Sequence, residues 1–144
     1  MQSYNETSFR IYKKFLCMIR RTFFLLPGLG WLFVVSFLLT LPGSAFPTED
    51  WFSKVQFDKW VHAGLFAVLV VCWCWGLMRL QKKKEKWGQL FIGITILATL
   101  YGVGMEFFQK YCVPNRSFDF WDIVADAVGT YAGYLFSRKY FIKK

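Results

Sequence analysis

The stretch PNRSFDFWDIVADAVGTYAGYLF, residues Pro114–Phe136, decides whether this chain crosses a membrane three times or four. Its second half is as apolar as many membrane helices, yet Asp119, Asp122 and Asp126 lead into it. A carboxylate at the centre of a membrane helix costs about 2.5–3.5 kcal/mol on the mild insertion scale, so it needs a protein or water-filled surrounding. Whatever accommodates these aspartates is a candidate functional site.

The composition of the whole chain is typical of a membrane protein. Of the 144 residues, 56% are hydrophobic and 22% aromatic, well above the usage in soluble domains. The net charge of +9 could indicate nucleic-acid binding, but the basic residues form short blocks between apolar runs, where they set membrane topology. We therefore predict a lipid bilayer as the main partner and no nucleic-acid binding.

Four apolar segments approach the length of about 20 residues that a helix needs to cross the hydrocarbon core. The predicted fold is an all-α membrane protein, a four-helix transmembrane bundle with both termini cytoplasmic. The spans are predicted at about residues 22–41, 60–78, 88–108 and 120–136, within a membrane domain at 22–137 and between basic cytoplasmic tails at 1–21 and 138–144.

The distribution of basic residues supports this topology. Five Lys or Arg residues precede the first segment, two lie before the second, five before the third and two before the fourth, and four follow it. Cytoplasmic segments carry an excess of Lys and Arg, and the alternation fits that rule only if the fourth segment also crosses.

Two other interpretations are less favoured. A signal peptide could end near Gly43-Ser44-Ala45, but the preceding apolar run is long for one. Disulfides are not expected, because Cys72 and Cys74 lie on different faces of one helix, while Cys17 and Cys112 fall on opposite sides of the membrane.

The ionisable residues of the last three segments collect at one end of each segment, the end that this topology places outside. Helical spacing puts those of each segment on one face. In the third and fourth segments, small residues extend this face into a stripe along the helix, as at helix interfaces. They are Thr95, Thr99 and Gly102 in the third segment and Gly129 and Gly133 in the fourth. The predicted outward-facing polar pocket comprises Asp58, Lys59, His62, Glu106, Gln109, Arg116, Asp119, Asp122 and Asp126.

Together these residues resemble the signature of the VanZ-like family of small bacterial membrane proteins. That signature reads Asp-Lys-x-x-His, Glu-x-x-Gln and Arg-x-x-Asp-x-x-Asp before a small-residue helix, and the chain matches it in order between Phe57 and Phe136. Asp126 departs from the family pattern, which usually has Asn there. The resemblance implies a bacterial cell (plasma) membrane location and a cell-envelope process, with a link to glycopeptide (teicoplanin) resistance by analogy alone.

The pocket residues are given hypothetical roles. Acid–base or orienting roles are predicted for Asp58, His62, Glu106 and Asp122. Contact with an anionic lipid-linked or cell-wall-related molecule, such as one bearing a phosphate, is predicted for Lys59, Gln109, Arg116, Asp119 and Asp126. Whether the chain is an enzyme and which oligomer it forms stay open.

Some of these residues have simpler interpretations. Asp58 and Asp119 stand where helix N-caps belong. Glu106 lies near a helix C-terminus, where a negative charge is disfavoured, so it needs a partner. Lys110, four residues on, and Arg116, in the following loop, are the candidates.

Asp126 is the deepest carboxylate, about 6 Å beyond Asp122 along a helix. Lys59, Arg116, a proton or a bound cation could neutralise it, and the sequence does not choose among them. A divalent cation held by His62 and the carboxylates is a less favoured alternative, so no residue is assigned as a metal ligand and the cofactor stays open.

Two other functions are considered. A small proton- or ion-coupled transporter would need polar residues on the cytoplasmic half of the stripe, where only Thr95 and Thr99 are available. A structural or assembly protein would use the polar cluster only as a buried ion-pair network.

Overall fold

The computed structural model describes residues 9–13, 22–42, 57–81 and 83–142. The described part contains no β-strand, which confirms the predicted all-helical class. Short 3-10 turns precede the first and third long helices, and a π-helical turn at Arg138–Ile142 follows the last. The four long α-helices of this part are α1 (Leu26–Thr40), α2 (Phe57–Leu80), α3 (Trp87–Cys112) and α4 (Phe120–Ser137).

Among the described residues, three helical stretches are long and apolar enough to cross a membrane: Phe23–Thr40, Phe57–Leu80 and Lys84–Cys112. They correspond to the first three predicted segments; the first lies just inside the predicted limits, and the second and third extend beyond them. The fourth helix, α4, has 18 residues, and it is not among these stretches because Asp122 and Asp126 lower its mean hydropathy.

Several sequence predictions fall outside the described residues. They concern most of the N-terminal tail, Cys17, the motif at 43–45 and residues 143–144.

Proline determines where α1 and α3 end. Leu41 precedes Pro42 and Val113 precedes Pro114, and a residue before proline is pushed out of the helical region. Both residues are extended accordingly, with ψ values of 139° and 121°. Asn115 then adopts a positive φ of 56°, which its short polar side chain tolerates. The chain therefore leaves α3 through a tight connection that returns it directly to α4.

Helices α2 and α4 run in the same direction and form the most extensive packing in the described part. Glycine makes this possible: a Cβ atom on Gly133 would lie 2.5 Å from the Ala67 carbonyl oxygen, and one on Gly129 would meet the Ala63 carbonyl. The small residues of the fourth segment thus permit the close backbone approach expected of them.

Helices α1 and α3 run in the opposite direction to α2 and α4. Three side-chain hydrogen bonds fix α1: the indole of Trp31 donates to the Leu65 carbonyl at 2.9 Å, Ser36 and Tyr101 share a bond of 2.8 Å, and Gln109 donates to a carbonyl near the end of α1. The apolar core lies between the helices and includes Val35, Leu39, Phe66, Leu69, Val70, Cys74 and Phe91.

The two ends of this arrangement differ in chemistry. The end formed by the first two turns of α2 and α4 and the last two turns of α3 is called the polar end. At the opposite end, Gly76 packs against the Phe24 carbonyl and the rings of Phe91 and Phe141 lie 6.4 Å apart. The elements there carry the basic residues Arg79, Lys83, Lys84, Lys86, Arg138 and Lys139, and it is called the basic end.

Candidate functional site at the polar end

Lys59, in the first turn of α2, joins α2 to the start of α4. Its ammonium donates hydrogen bonds to the carboxylates of Asp119, Asp122 and Asp58, at 2.5, 2.6 and 3.1 Å. The Asp122 side chain is 7% exposed, whereas those of Asp58 and Asp119 are 56% and 39% exposed. Lys59 thus balances a carboxylate that is withdrawn from water and leaves two others accessible at the surface.

Asp119 caps α4, as predicted. Its carboxylate accepts a hydrogen bond of 2.8 Å from the Trp121 backbone N–H. The Lys59 ammonium, and to a lesser extent the Trp121 N–H, hold the pKa of the Asp119 carboxyl below its ordinary value, although partial burial opposes them. Asp58 was also predicted as a cap; that is wrong, because α2 already begins at Phe57 and Asp58 lies in its first turn.

Glu106 finds a partner that sequence reasoning missed. Its carboxylate accepts a hydrogen bond of 2.9 Å from the backbone N–H of Asp119. Within the described part it forms no ion pair with Lys110 or Arg116, the two expected candidates. Glu106 thereby takes the place of a capping-box carboxylate across helices, and Asp122, which occupies that position in α4, is free to bond Lys59.

His62 and Asp126 form a buried pair. Their Nδ1 and Oδ1 atoms lie 3.0 Å apart, and the residues are 4% and 2% exposed. The second ring nitrogen, Nε2, faces the Asp122 carboxylate at 4.0 Å. None of the partners considered for Asp126 in the sequence included this histidine. One signal was available: Lys59 and His62 lie one turn apart in α2, Asp122 and Asp126 lie one turn apart in α4, and the two helices run in the same direction.

The environment of Asp126 is completed by α3. Gly102 lies against it so closely that an added Cβ atom would come within 2.6 Å of Asp126 Oδ2. One turn further from the polar end, the hydroxyls of Thr99 and Thr130 share a hydrogen bond of 2.9 Å. The polar stripes of α3 and α4 therefore face each other, whereas their spacing predicted only that each would face a neighbouring helix.

Gln109 has a role between helices. Its amide donates a hydrogen bond of 2.8 Å to the Leu39 carbonyl, and the residue is 1% exposed. This bond ties the last turns of α3 to the end of α1. A direct contact of Gln109 with a ligand stays a prediction.

Arg116 lies half-buried in the connection between α3 and α4, three residues before Asp119. The site therefore gathers Asp58, Lys59, His62, Glu106, Asp119, Asp122 and Asp126 into one set of contacts, with Arg116 in the loop beside it.

Oxygens of Asp58, Asp119 and Asp122 lie within 4.8 Å of one another, a spacing that suits a metal ion. The Lys59 ammonium bonds all three residues, so a metal there would have to displace it.

Comparisons of the chain with known protein families, with curated proteins and with solved structures found no match in any of the three. The VanZ-like resemblance therefore rests on the signature residues.

Proposed function

We propose that the chain is a VanZ-like integral membrane protein of the bacterial cell envelope that crosses the bilayer four times, with both termini in the cytoplasm. The carboxylates of α4 face α2 and α3, while Val128, Leu135 and Phe136 on its other side are exposed. A helix with one polar face toward other helices and one exposed apolar face is suited to a transmembrane bundle. The basic residues gather at the end opposite the polar cluster, which supports a polar end outside the cell.

We further propose that the polar end binds the headgroup of a lipid-linked, phosphate-bearing envelope molecule at the outer leaflet. One observation supports this proposal. Helices α2, α3 and α4 contact one another through a single polar cluster, and the carboxylates of Asp58 and Asp119 are accessible at its surface. Such carboxylates suit the hydroxyl and amine groups of a sugar or peptide headgroup. Arg116 is proposed to contact the phosphate.

Aromatic side chains support the same placement. Trp60 and Trp121 are 71% and 64% exposed in the first turns of α2 and α4. Tryptophan is enriched at membrane–water interfaces, so these rings would hold the polar end at headgroup level.

Lys59 takes a modified role in this proposal. Its ammonium is engaged by three carboxylates, so it orders them for the ligand, and a direct bond to an anion requires exchange with the exposed Asp58. His62, Glu106 and Asp122 orient these groups or take part in proton transfer.

A proton-coupled transporter is the second candidate. The buried His62–Asp126 pair followed by the Thr99–Thr130 pair favours it, because these groups extend polarity along the α3–α4 interface. Beyond Thr95 the described interface is apolar, through residues such as Val70 and Phe91, apart from the buried Ser137 of α4.

The proposal is tested in a bacterial strain from which the gene for this chain has been deleted. Wild type and the exposed control Lys110→Ala should restore the strain's glycopeptide susceptibility pattern and envelope integrity, whereas Arg116→Ala and Glu106→Gln should not, at matched protein levels. Solute uptake and proton flux should be the same in all strains. Altered flux would favour the transporter, and full activity of both site variants would leave only a structural role.

A further inference from the structure

The His62 ring lies between two carboxylates of α4. Nδ1 is 3.0 Å from Asp126 Oδ1, while Nε2 is 4.0 Å from Asp122 Oδ2. The first distance is that of a hydrogen bond and the second is too long for a direct one. The two nitrogens therefore differ in role.

Asp126 is held in one orientation. The backbone of Gly102 packs against its Cβ and Oδ2 atoms, and Phe66 lies beside the same glycine. The residue is 2% exposed, so water does not compete freely for its oxygen. An ionised carboxylate can only accept a hydrogen bond, and the proton between the two residues then belongs to His62 Nδ1.

The opposite side of the ring leads toward the surface. Nε2 faces Asp122, which bonds Lys59, which in turn bonds the accessible carboxylates Asp58 and Asp119. Hydrogen bonds thus connect the mouth of the site to Asp122, and the Asp122 carboxylate lies 4.0 Å from the one nitrogen of His62 that Asp126 does not hold.

We propose that Asp126 is a positioning residue, which keeps the proton on Nδ1 of His62 and leaves Nε2 as the atom that accepts and returns a proton at the polar end. The inference rests on the proposed function for its purpose. It assigns Asp126 a role distinct from ligand contact, and it gives a reason for a carboxylate where the family pattern usually has Asn: an acceptor-only group fixes the tautomer, whereas an amide accepts or donates.

Other charged groups face the same ring. Glu106 on α3 interacts with it electrostatically, as do Asp122 and Asp126 on α4, and Lys59 lies one turn earlier on α2. Asp126 alone is within hydrogen-bond distance of a ring nitrogen among the described residues. Its removal should therefore change the tautomer, and loss of Asp122 should not.

The chain contains a single histidine, which makes the test direct. Full-length protein carrying an affinity tag without histidine is labelled with 15N-histidine, placed in nanodiscs, and studied by NMR across pH. We expect the Nδ1 resonance to show a bound proton at every pH and only Nε2 to titrate. An unprotonated Nδ1 in the wild type would overturn the proposal, and this result needs no variant.

Variants then identify the residue responsible. In Asp126→Ala the neutral ring should carry its proton on Nε2, because Asp122 becomes the nearest carboxylate, whereas Asp122→Asn should keep it on Nδ1. A proton that stays on Nδ1 in Asp126→Ala would also overturn the proposal. Asp126→Asn serves as the folding control of matched shape. The spectra are recorded on purified protein, so they do not depend on the outcome of the envelope test in cells. Either test can therefore fail while the other succeeds.

Discussion

Two side chains of α2 pair with the two buried carboxylates of α4. Lys59 bonds Asp122 and His62 pairs with Asp126, so each aspartate that would be costly in a membrane has a partner one helix away. The cluster includes more carboxylates than cationic groups, which makes each of the latter important.

Lys59→Met should lower the free energy of unfolding by about 3–5 kcal/mol, because it leaves the largely buried Asp122 without its cation. The substitution Asp122→Leu should cost less in the Lys59→Met background than alone. Denaturation in detergent measures both effects. Lys110→Met, at an exposed lysine of α3, is the control and should change stability by less than about 0.5 kcal/mol. Equal losses in Lys59→Met and the control would contradict the bridging role.

The Asp119 carboxyl should make the stability of the fold depend on pH. Its folded-state pKa is lowered below the ordinary value of 3.8, chiefly by Lys59, so its interactions stabilise the fold above that value and are lost as pH falls through the folded pKa. The thermal midpoint in detergent should therefore fall less between pH 5 and pH 3 in Asp119→Asn than in the wild type. An identical fall in the two proteins would show that Asp119 contributes nothing to acid sensitivity.

At the level of helices, the register between α2 and α4 decides which polar residues meet. Gly129 and Gly133 set it, because they let α4 approach the backbone of α2 at Ala63 and Ala67. Gly129→Ala should cost about 1–3 kcal/mol through the clash with the Ala63 carbonyl. Gly104→Ala in α3 meets no atom within 4 Å and should be neutral or gain up to about 1 kcal/mol from helix propensity.

This pair of variants is compared by thermal unfolding in one detergent. A loss of thermal stability of similar size in both variants would contradict the claim that Gly129 allows close packing of α2 on α4. Shifted 15N resonances of His62 in Gly129→Ala alone would link the register to the site.

The sequence predicted the elements better than their contacts. Hydropathy indicated the three most apolar helices, and basic-residue alternation with helical spacing indicated which ends would meet. The pairing of His62 with Asp126 was missed because it depends on the rotation and register of α2 and α4. The bond from Asp119 N–H to Glu106 was missed for a different reason: a backbone donor has no signature in the sequence.

For the whole molecule, the polar and basic ends are proposed to lie on opposite sides of the bilayer. Cys112, exposed at the last residue of α3, should react with a membrane-impermeant maleimide in intact cells when Cys17, Cys72 and Cys74 are replaced by Ala. A cysteine introduced at Lys84 in the cysteine-free chain should react only after permeabilisation. Labelling of the Lys84→Cys protein in intact cells would reverse or refute the topology.

Ligand binding at the polar end can be measured by native mass spectrometry of the protein in nanodiscs prepared from its host membrane. Wild type and Lys110→Ala should retain a phosphate-bearing envelope lipid near one per chain, and Arg116→Ala should lose most of it. Retention of the same lipid at the same level in Arg116→Ala, or no lipid in the wild type, would contradict the account.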